Sequence, residues 1–249
     1  MTLSATPLIG TAGWSIARAA TDAFPADGSG LERYAAVLPC AEINSSFHHP
    51  HRASTWEKWR DSVPAGFRFS VKLPKAVTHG ARLVGVEQLL DAFLAEAGLL
   101  HEKLAVLLVQ LPPSLALDPD VASSFFRLLR GRSNALVTVE PRHASWFTED
   151  AAALLRELGI SRVGADPARV PEAAQPLAVD GLAYWRLHGS PIVYRSSYAD
   201  RITQLAEAVR ATDAQHKWII FDNTASSAAT GDALALMRAL TPPSPSPRT

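Results

Sequence analysis

The stretch LAVLLVQ (Leu104–Gln110), the segment Asp118–Leu129 behind it and the run LVTVE (Leu136–Glu140) together decide the fold. A short apolar run gives way to a segment whose apolar residues return every three or four positions. A second short run follows. The first pattern suits a strand and the second a helix. Strands that alternate with helices lie parallel in one sheet. Asp118-Pro119 marks a helix start, with a capping carboxylate followed by a proline at the first helical position.

The unit recurs. Runs of the same kind occupy Leu8–Thr11, Ala41–Asn44, Phe67–Lys72, Ile160–Asp166, Leu182–His188 and Trp218–Asn223. Nearly all eight end on polar residues. Helical spacing appears in Leu31–Leu38, Ser54–Ser62, Val86–Leu100, Thr148–Leu158, Asp200–Ala211 and Ser226–Leu240. Gly159 stands where a helix would release the chain into the sixth strand. Arg169–Gln175 is too short and too rich in flanking prolines (Pro167, Pro171, Pro176) for a full sixth helix. The expected architecture is α/β: a single (β/α)8 barrel of the TIM type over residues 8–240, with an irregular segment after strand six. The 249 residues match the ~250 typical of that fold. The ending TPPSPSPRT, residues 241–249, reads as a disordered tail.

Composition narrows the functional classes. Lys plus Arg and Asp plus Glu each number 24, so no global field draws the chain to nucleic acid or to an anionic membrane. No apolar run approaches the length of a membrane span. Met1–Pro7 lacks the pattern of a secretory leader. The single cysteine, Cys40, excludes an internal disulfide and reads as a small buried hydrophobe. These features lead to the expectation of a cytoplasmic protein.

Alternation within strands adds the next layer, because neighbouring residues face opposite ways. If the apolar faces meet the helices, then Glu42, Asn44, Arg68, Ser70, Lys72, Thr138, Glu140, Arg186 and His188 turn into the barrel. Charges there must be paired or wet. Barrel enzymes work at the carboxyl ends of their strands, where most of these residues fall.

Several motifs stand at those ends: Ile9-Gly10-Thr11-Ala12-Gly13-Trp14, Glu42-Ile43-Asn44-Ser45-Ser46-Phe47, Phe69-Ser70-Val71-Lys72, Thr78-His79 and Gln110-Leu111-Pro112-Pro113-Ser114. Glu140-Pro141-Arg142-His143 with Ser145-Trp146, Arg186-Leu187-His188-Gly189 and Phe221-Asp222-Asn223-Thr224 follow in order. The set resembles the YecE-like family, a domain of unknown function numbered seventy-two. The resemblance runs from Ile9 to about Leu240. It implies a TIM-type barrel and no particular reaction. Two positions depart from the family pattern. His48 follows Phe47 where a tyrosine is usual, and Asp222 replaces an asparagine, adding negative charge at the mouth.

The candidate catalytic residues are Glu42, Lys72, Glu140, Arg186 and His188. A carboxylate, Glu140 or Glu42, would serve as base and His188 as its acid partner, with Lys72 and Arg186 stabilising charge. The alternative is that the carboxylates pair with Lys72, Arg68 or Arg186 and only hold the barrel together. Candidate substrate-binding residues are Trp14, Asn44, His79, Gln110, Arg142, His143, Trp146, Tyr194, Asp222 and Asn223. His79 and His143 also suit turn-stabilising roles. Trp14, Phe47, Trp146, Tyr194 and Tyr198 stack on a ligand or pack on one another as lids. Thr224 or Ser226 would cap the last helix, whose N-terminus, with Gly189-Ser190, resembles an anion seat. No cofactor is expected. A divalent metal would need Glu42, Glu140 and His188, and the chain has no recognisable ligand spacing.

The function expected from these features is an enzyme acting on a small polar or anionic substrate, such as a sugar phosphate or a carboxylate. Isomerase, lyase and hydrolase chemistry are not distinguished. Two rivals stand beside it. A nucleic-acid-processing barrel would need a basic rim of Arg18, Arg52, Lys75, Arg82, Arg142 and Arg195. A non-catalytic barrel would bind a ligand without turnover.

Overall fold

The structure is a computed structural model that describes residues 6–241. The proline-rich ending at 242–249 lies outside the described residues. Nine parallel strand segments form one sheet: β1 (Leu8–Ala12), β2 (Cys40–Ile43), β3 (Arg68–Lys72), β4 (Leu104–Gln110), β5 (Leu136–Glu140), β6 (Ser161–Arg162), β7 (Gly164–Asp166), β8 (Leu182–Leu187) and β9 (His216–Phe221). Their order is β6-β5-β4-β3-β2-β1-β9-β8-β7. The two edge segments β6 and β7 are consecutive in the chain and flank Val163. They are the halves of one split stave, so eight staves curl into a nearly closed barrel. Val163 donates its N–H to Val139 O at 2.9 Å, so pairing to β5 persists across the split.

The split corrects the single sixth strand expected over Ile160–Asp166. Arg162 exchanges backbone hydrogen bonds with Leu177, 3.0 Å each way, pulling the returning chain against β6. A Cβ on Gly164 would stand 2.7 Å from the Pro176 nitrogen, so this close approach requires glycine. Only one 3₁₀ turn, Pro171–Ala173, occupies the place of the sixth helix.

The helices are α1 (Gly30–Ala35), α2 (Ala53–Asp61), α3 (Glu87–Ala97), α4 (Pro119–Arg130), α5 (Glu149–Leu158), α6 (Ile202–Ala211) and α7 (Ala229–Leu240). Local chemistry sets several ends. Asp118 accepts from the amides of Asp120 and Val121 at the start of α4. Thr148 accepts from Ala151 N at the start of α5, and Gly159 closes that helix with a φ of 68°. The last helix departs from expectation. It begins at Ala229 with no side-chain cap, and neither Thr224 nor Ser226 serves as one. Ser226 instead donates its hydroxyl to the Arg195 carbonyl, and Ala225 N donates to Tyr194 O. The loop after β8 has recruited the segment that would have been the first turn.

Side chains sort as alternation requires. Phe69, Val71, Trp185 and Leu187 pack under the helices. Cys40, Val106, Leu108, Val163, Leu182, Tyr184, Trp218 and Ile220 fill the barrel as a second, interior cluster. Cys40 is fully buried, as expected of a small hydrophobe. Above this apolar plug, toward the carboxyl ends, the interior becomes ionic. Arg68 lies at the amino end of β3 and bonds to the Ala65 and Phe67 carbonyls, away from that region.

Candidate functional site

Strands β2, β5 and β8, with the segments following β8 and β9, project Glu42, Glu140, Arg186, His188 and Asp222 to one level. Each is at most 8% exposed. Arg186 is the hub. Its Nε and Nη2 donate to Glu42 Oε2 and Oε1 at 3.0 and 2.8 Å, a two-pronged grip. Nη1 donates to Glu140 Oε2 at 2.6 Å, and Nη2 also reaches Asp222 Oδ2 at 3.0 Å. Tyr184, two residues earlier on the same face of β8, donates its hydroxyl to Glu42 Oε2 at 2.8 Å and stands 2.9 Å from Ser70 Oγ.

His188 bridges the remaining gap. Its Nε2 is 2.8 Å from Glu140 Oε1 and its Nδ1 is 3.0 Å from Asp222 Oδ2. Burial pushes the Glu140 carboxyl up, but the charges of Arg186 and His188 outweigh it and hold the group well below the usual carboxylate range. Asp222 is lowered by the same contest, with Arg186 and the His188 hydrogen bond prevailing over burial. Ionised carboxylates only accept, so both His188 nitrogens must donate and the ring is an imidazolium. Burial opposes that charge, yet Glu140 and the hydrogen bond donated to Asp222 raise the histidine above its ordinary value.

The sign of that shift makes a prediction. A raised value in the folded state contributes stability that is fully present below about pH 6.5 and disappears as pH climbs through the folded value. His188→Gln should therefore flatten the fall in stability on the alkaline side of pH 6.5. Urea midpoints of both proteins from pH 6 to 9 measure it, and parallel curves would contradict the ring's charge.

With His188 charged, the lattice balances. Glu42, Glu140 and Asp222 supply three negative charges; Arg186, His188 and Arg142 supply three positive ones. Arg142 sits at the rim, with Nη2 3.3 Å from Glu140 Oε1. The negative charge that Asp222 brings to the mouth is thus neutralised by Arg186 and His188.

Lys72 is surplus to this balance. It ends β3, is 9% exposed, and its ammonium makes no hydrogen bond or ion pair among the described residues, while its carbonyl accepts from Ser46 Oγ at 2.7 Å. Its ammonium instead rests 4.1 Å from the centroid of the Phe47 ring. Burial, then the Arg186 charge, lower its pKa to about 8 against the partial opposition of the three carboxylates. The pairing of Glu42 and Glu140 with Arg186 is present; pairing with Lys72 or Arg68 is not.

The other candidate residues divide. Tyr194 stands over the mouth, its ring centroid 5.9 Å from that of His188. Asn44 Oδ1 is buried without a hydrogen-bond partner. His79 packs edge-on to Phe47 at 5.1 Å and pairs its Nδ1 with Thr78 Oγ1 at 2.9 Å. Gln110 donates to the neighbouring Leu111 carbonyl. His143 accepts from Ser145 N and holds its own turn. Trp146 is buried in the core, with Nε1 donating to Leu115 O at 3.0 Å. Trp14 lies edge-on to Trp59 and Phe69. Asn223 turns away from the lattice and donates to Ser196 O and Asp232 Oδ2, clamping the loop after β8. Tyr198 is buried there too, receiving Gly189 N–H and donating to Asp166 O. Tyr184 was not among the candidates, although its place two residues before Arg186 was the signal for it.

Two spaces adjoin this region. A cavity of about 150 Å³ opens over the lattice between Glu140, Arg142, Arg169, His188 and Tyr194. A larger one, about 660 Å³, lies on the flank between the loops after β2 and β3 and helix α3. It is lined by Phe47, His48, His79, Pro74 and Phe93, among others. The larger cavity is mostly apolar and does not touch the lattice, so its size does not make it the seat of ionic chemistry. Among the described residues no three His, Cys, Asp or Glu side chains are grouped to hold a metal ion. No helix among them is long and apolar enough to cross a membrane.

A parallel α/β barrel with a closed ionic lattice at its carboxyl mouth defines the class. The chain belongs to the family described as "Protein of unknown function DUF72", whose model matches residues 8–249. It is 30% identical over 152 residues to the UPF0759 protein YecE of Escherichia coli K12, covering 59% of this chain and 55% of that protein. The UPF0759 protein YunF of Bacillus subtilis 168 is 27% identical over 146 residues, covering 56% and 52%. The match thus spans about half the length of these curated relatives. Among solved structures, a DUF72 family protein of Enterococcus faecalis V583 superposes with a TM-score of 0.79 at 21% identity, covering 94% of this chain and 95% of that one. One from Thermotoga maritima MSB8 gives 0.73 at 22% identity, covering 94% and 99%. These two likenesses bear on the barrel fold alone.

Proposed function

We propose that the protein is an enzyme acting on a small anionic substrate, a phosphate ester or a carboxylate, held at the carboxyl mouth between Lys72 and Arg142. The observation that carries this reading is the charge balance. The lattice neutralises itself and leaves one cation, Lys72, unspent at the end of a barrel strand. Arg142 contacts Glu140 at 3.3 Å and hydrogen-bonds Tyr194, and of its five N–H donors it retains others for a ligand. An anion there meets the Lys72 ammonium and the N–H donors that Arg142 has left, in a partly dry setting where each contact counts for more than in water.

The same geometry redistributes the chemical roles. Glu140 faces donors from three residues and is held ionised, which makes it a weak proton acceptor. His188 has both nitrogens engaged. These two residues, with Glu42 and Arg186, form a rigid floor, while the exchangeable proton belongs to Lys72. A group poised near the working pH is the better acid or base.

Thermal unfolding in a panel of small phosphate esters and carboxylates tests the seat. A ligand at a hundred times its Kd stabilises by about 2.7 kcal/mol, or roughly 5–11 °C for a chain of this size. At least one member should shift the wild type by that amount, and Arg142→Gln should lose the shift. No shift beyond that of chloride at equal ionic strength would remove the reading. Stabilisation without turnover of any stabilising compound would favour the ligand-binding barrel instead.

A further inference from the structure

The five lysines of this chain fall into three situations. Lys103 and Lys217 are buried but spend their ammonium groups on backbone carbonyls. Lys103 Nζ donates to Arg60 O and Val63 O at 2.5 and 2.8 Å, and Lys217 Nζ to Val209 O at 3.0 Å. Lys58 and Lys75 are exposed to water. Lys72 has neither a carbonyl partner nor full exposure. Its side chain is largely buried, its nitrogen meets no protein acceptor, and it lies against the face of Phe47. An ammonium carries three N–H donors, and here only the little water that reaches a 9%-exposed residue can satisfy them. The neutral amine, with a lone pair and fewer donors to satisfy, suits this position better.

We infer that Lys72 is a nucleophile that forms an imine with the carbonyl carbon of a small anionic aldehyde, ketone or 2-oxo acid. The inference deepens the proposed anionic-substrate reading and rests on it. The ammonium first gives up one proton to water. The amine lone pair then forms the new C–N bond, the carbonyl π pair moves onto oxygen, and that oxygen takes a proton from the new ammonium nitrogen, which regains its lone pair. The proton released at the start returns to the same oxygen, and the nitrogen lone pair expels it as water. Overall, one ammonium and one carbonyl give one protonated imine and one water, with the charge conserved. The product carries the same single positive charge as the ammonium it replaces. Arg142 stands at the same mouth to hold the anionic substituent. No oxidant, metal or further co-reactant enters the balance.

Reductive trapping tests this with glyoxylate as the probe. The intact protein is incubated with glyoxylate and cyanoborohydride at pH 7.5, and the modified lysines are mapped by peptide mass spectrometry. Ordinary lysines are only about 0.1% neutral amine at that pH, so Lys72 should be labelled at least ~10-fold faster than the exposed Lys75 and Lys58. Labelling of Lys72 no faster than Lys75 would overturn the inference. A second measurement separates the two proposals. Inorganic phosphate should raise the melting temperature of the wild type and of Lys72→Arg alike, because both keep a cation in place. Phosphate stabilisation without preferential labelling refutes the imine and leaves the anion seat. Failure of phosphate, esters and carboxylates alike to stabilise the wild type refutes the seat on which the imine rests.

Discussion

Arg186→Leu is expected to cost the fold about 3–5 kcal/mol at pH 8 and much less at pH 5, because it strands buried carboxylates that had been paired. The guanidinium is 1% exposed and makes four hydrogen bonds to three carboxylates. Without it Glu42 keeps only the Tyr184 hydroxyl, at 0% exposure. In the wild type Glu140 and Asp222 are held low, so their stabilisation is present above the unfolded carboxylate range and is lost as pH falls. In the variant the stranded carboxyls are pushed up by burial. The folded state then takes up protons that the unfolded chain does not, and stability rises as pH falls. The two curves should converge toward pH 5. Urea denaturation at pH 5, 6.5 and 8, with m compared to verify that two states persist, measures this. A deficit under 1 kcal/mol, or one independent of pH, would mean that the lattice does not organise the barrel interior.

This lattice was largely legible in the sequence, and the reason is geometric. A strand alternates with a period of two, so a residue's parity fixes its face once one apolar neighbour is assigned. Ile43 between Glu42 and Asn44, and Leu187 between Arg186 and His188, were enough to turn those charges inward. Pairing followed from electrostatic cost alone. What parity cannot give is depth or partner choice. Trp146 and Tyr198 fall in loops at the carboxyl end, yet both are buried. Each reaches a carbonyl distant in sequence: Leu115 for Trp146, and Asp166 for Tyr198. The misplaced start of α7 has the same origin. Thr224 and Ser226 are good caps by local rules, but the loop after β8 captures Ala225 and Ser226 before a helix can form. The break at Val163 depends on Leu177 and Pro176 returning across the sheet edge. No window of neighbouring residues contains that information. Lys72 is the instructive case: its inward parity was readable, but its lack of a partner follows only from how three carboxylates are shared among three other cations.

Lys72→Met should stabilise the protein near neutral pH while abolishing imine trapping at this position. An amine that folding moves from the ordinary lysine range to about 8 penalises the folded state wherever it remains charged. The penalty is fully present below pH 8 and is relieved as pH rises toward the unfolded value near 10.5, because only the unfolded chain then holds the proton. A shift of that size corresponds to roughly 3 kcal/mol as an upper figure, reduced by whatever water reaches the nitrogen. Methionine keeps the apolar stem against Phe47 and removes the charge. The variant should therefore gain about 1–3 kcal/mol at pH 7, and the gain should shrink toward pH 10. Other groups titrate in that window. The buried Cys40, Tyr34, Tyr184 and Tyr198 are all raised, and each erodes stability as the unfolded chain ionises. They are common to both proteins, so the difference between the two curves isolates Lys72. Thermal or urea unfolding at pH 7, 8, 9 and 10 supplies that difference. On the imine proposal the barrel tolerates this penalty because the chemistry uses the amine, as stability is commonly sacrificed at functional residues. Equal stability of the two proteins at pH 7 would mean that Lys72 bears no desolvation cost, leaving its unpartnered position without the energetic meaning given to it above.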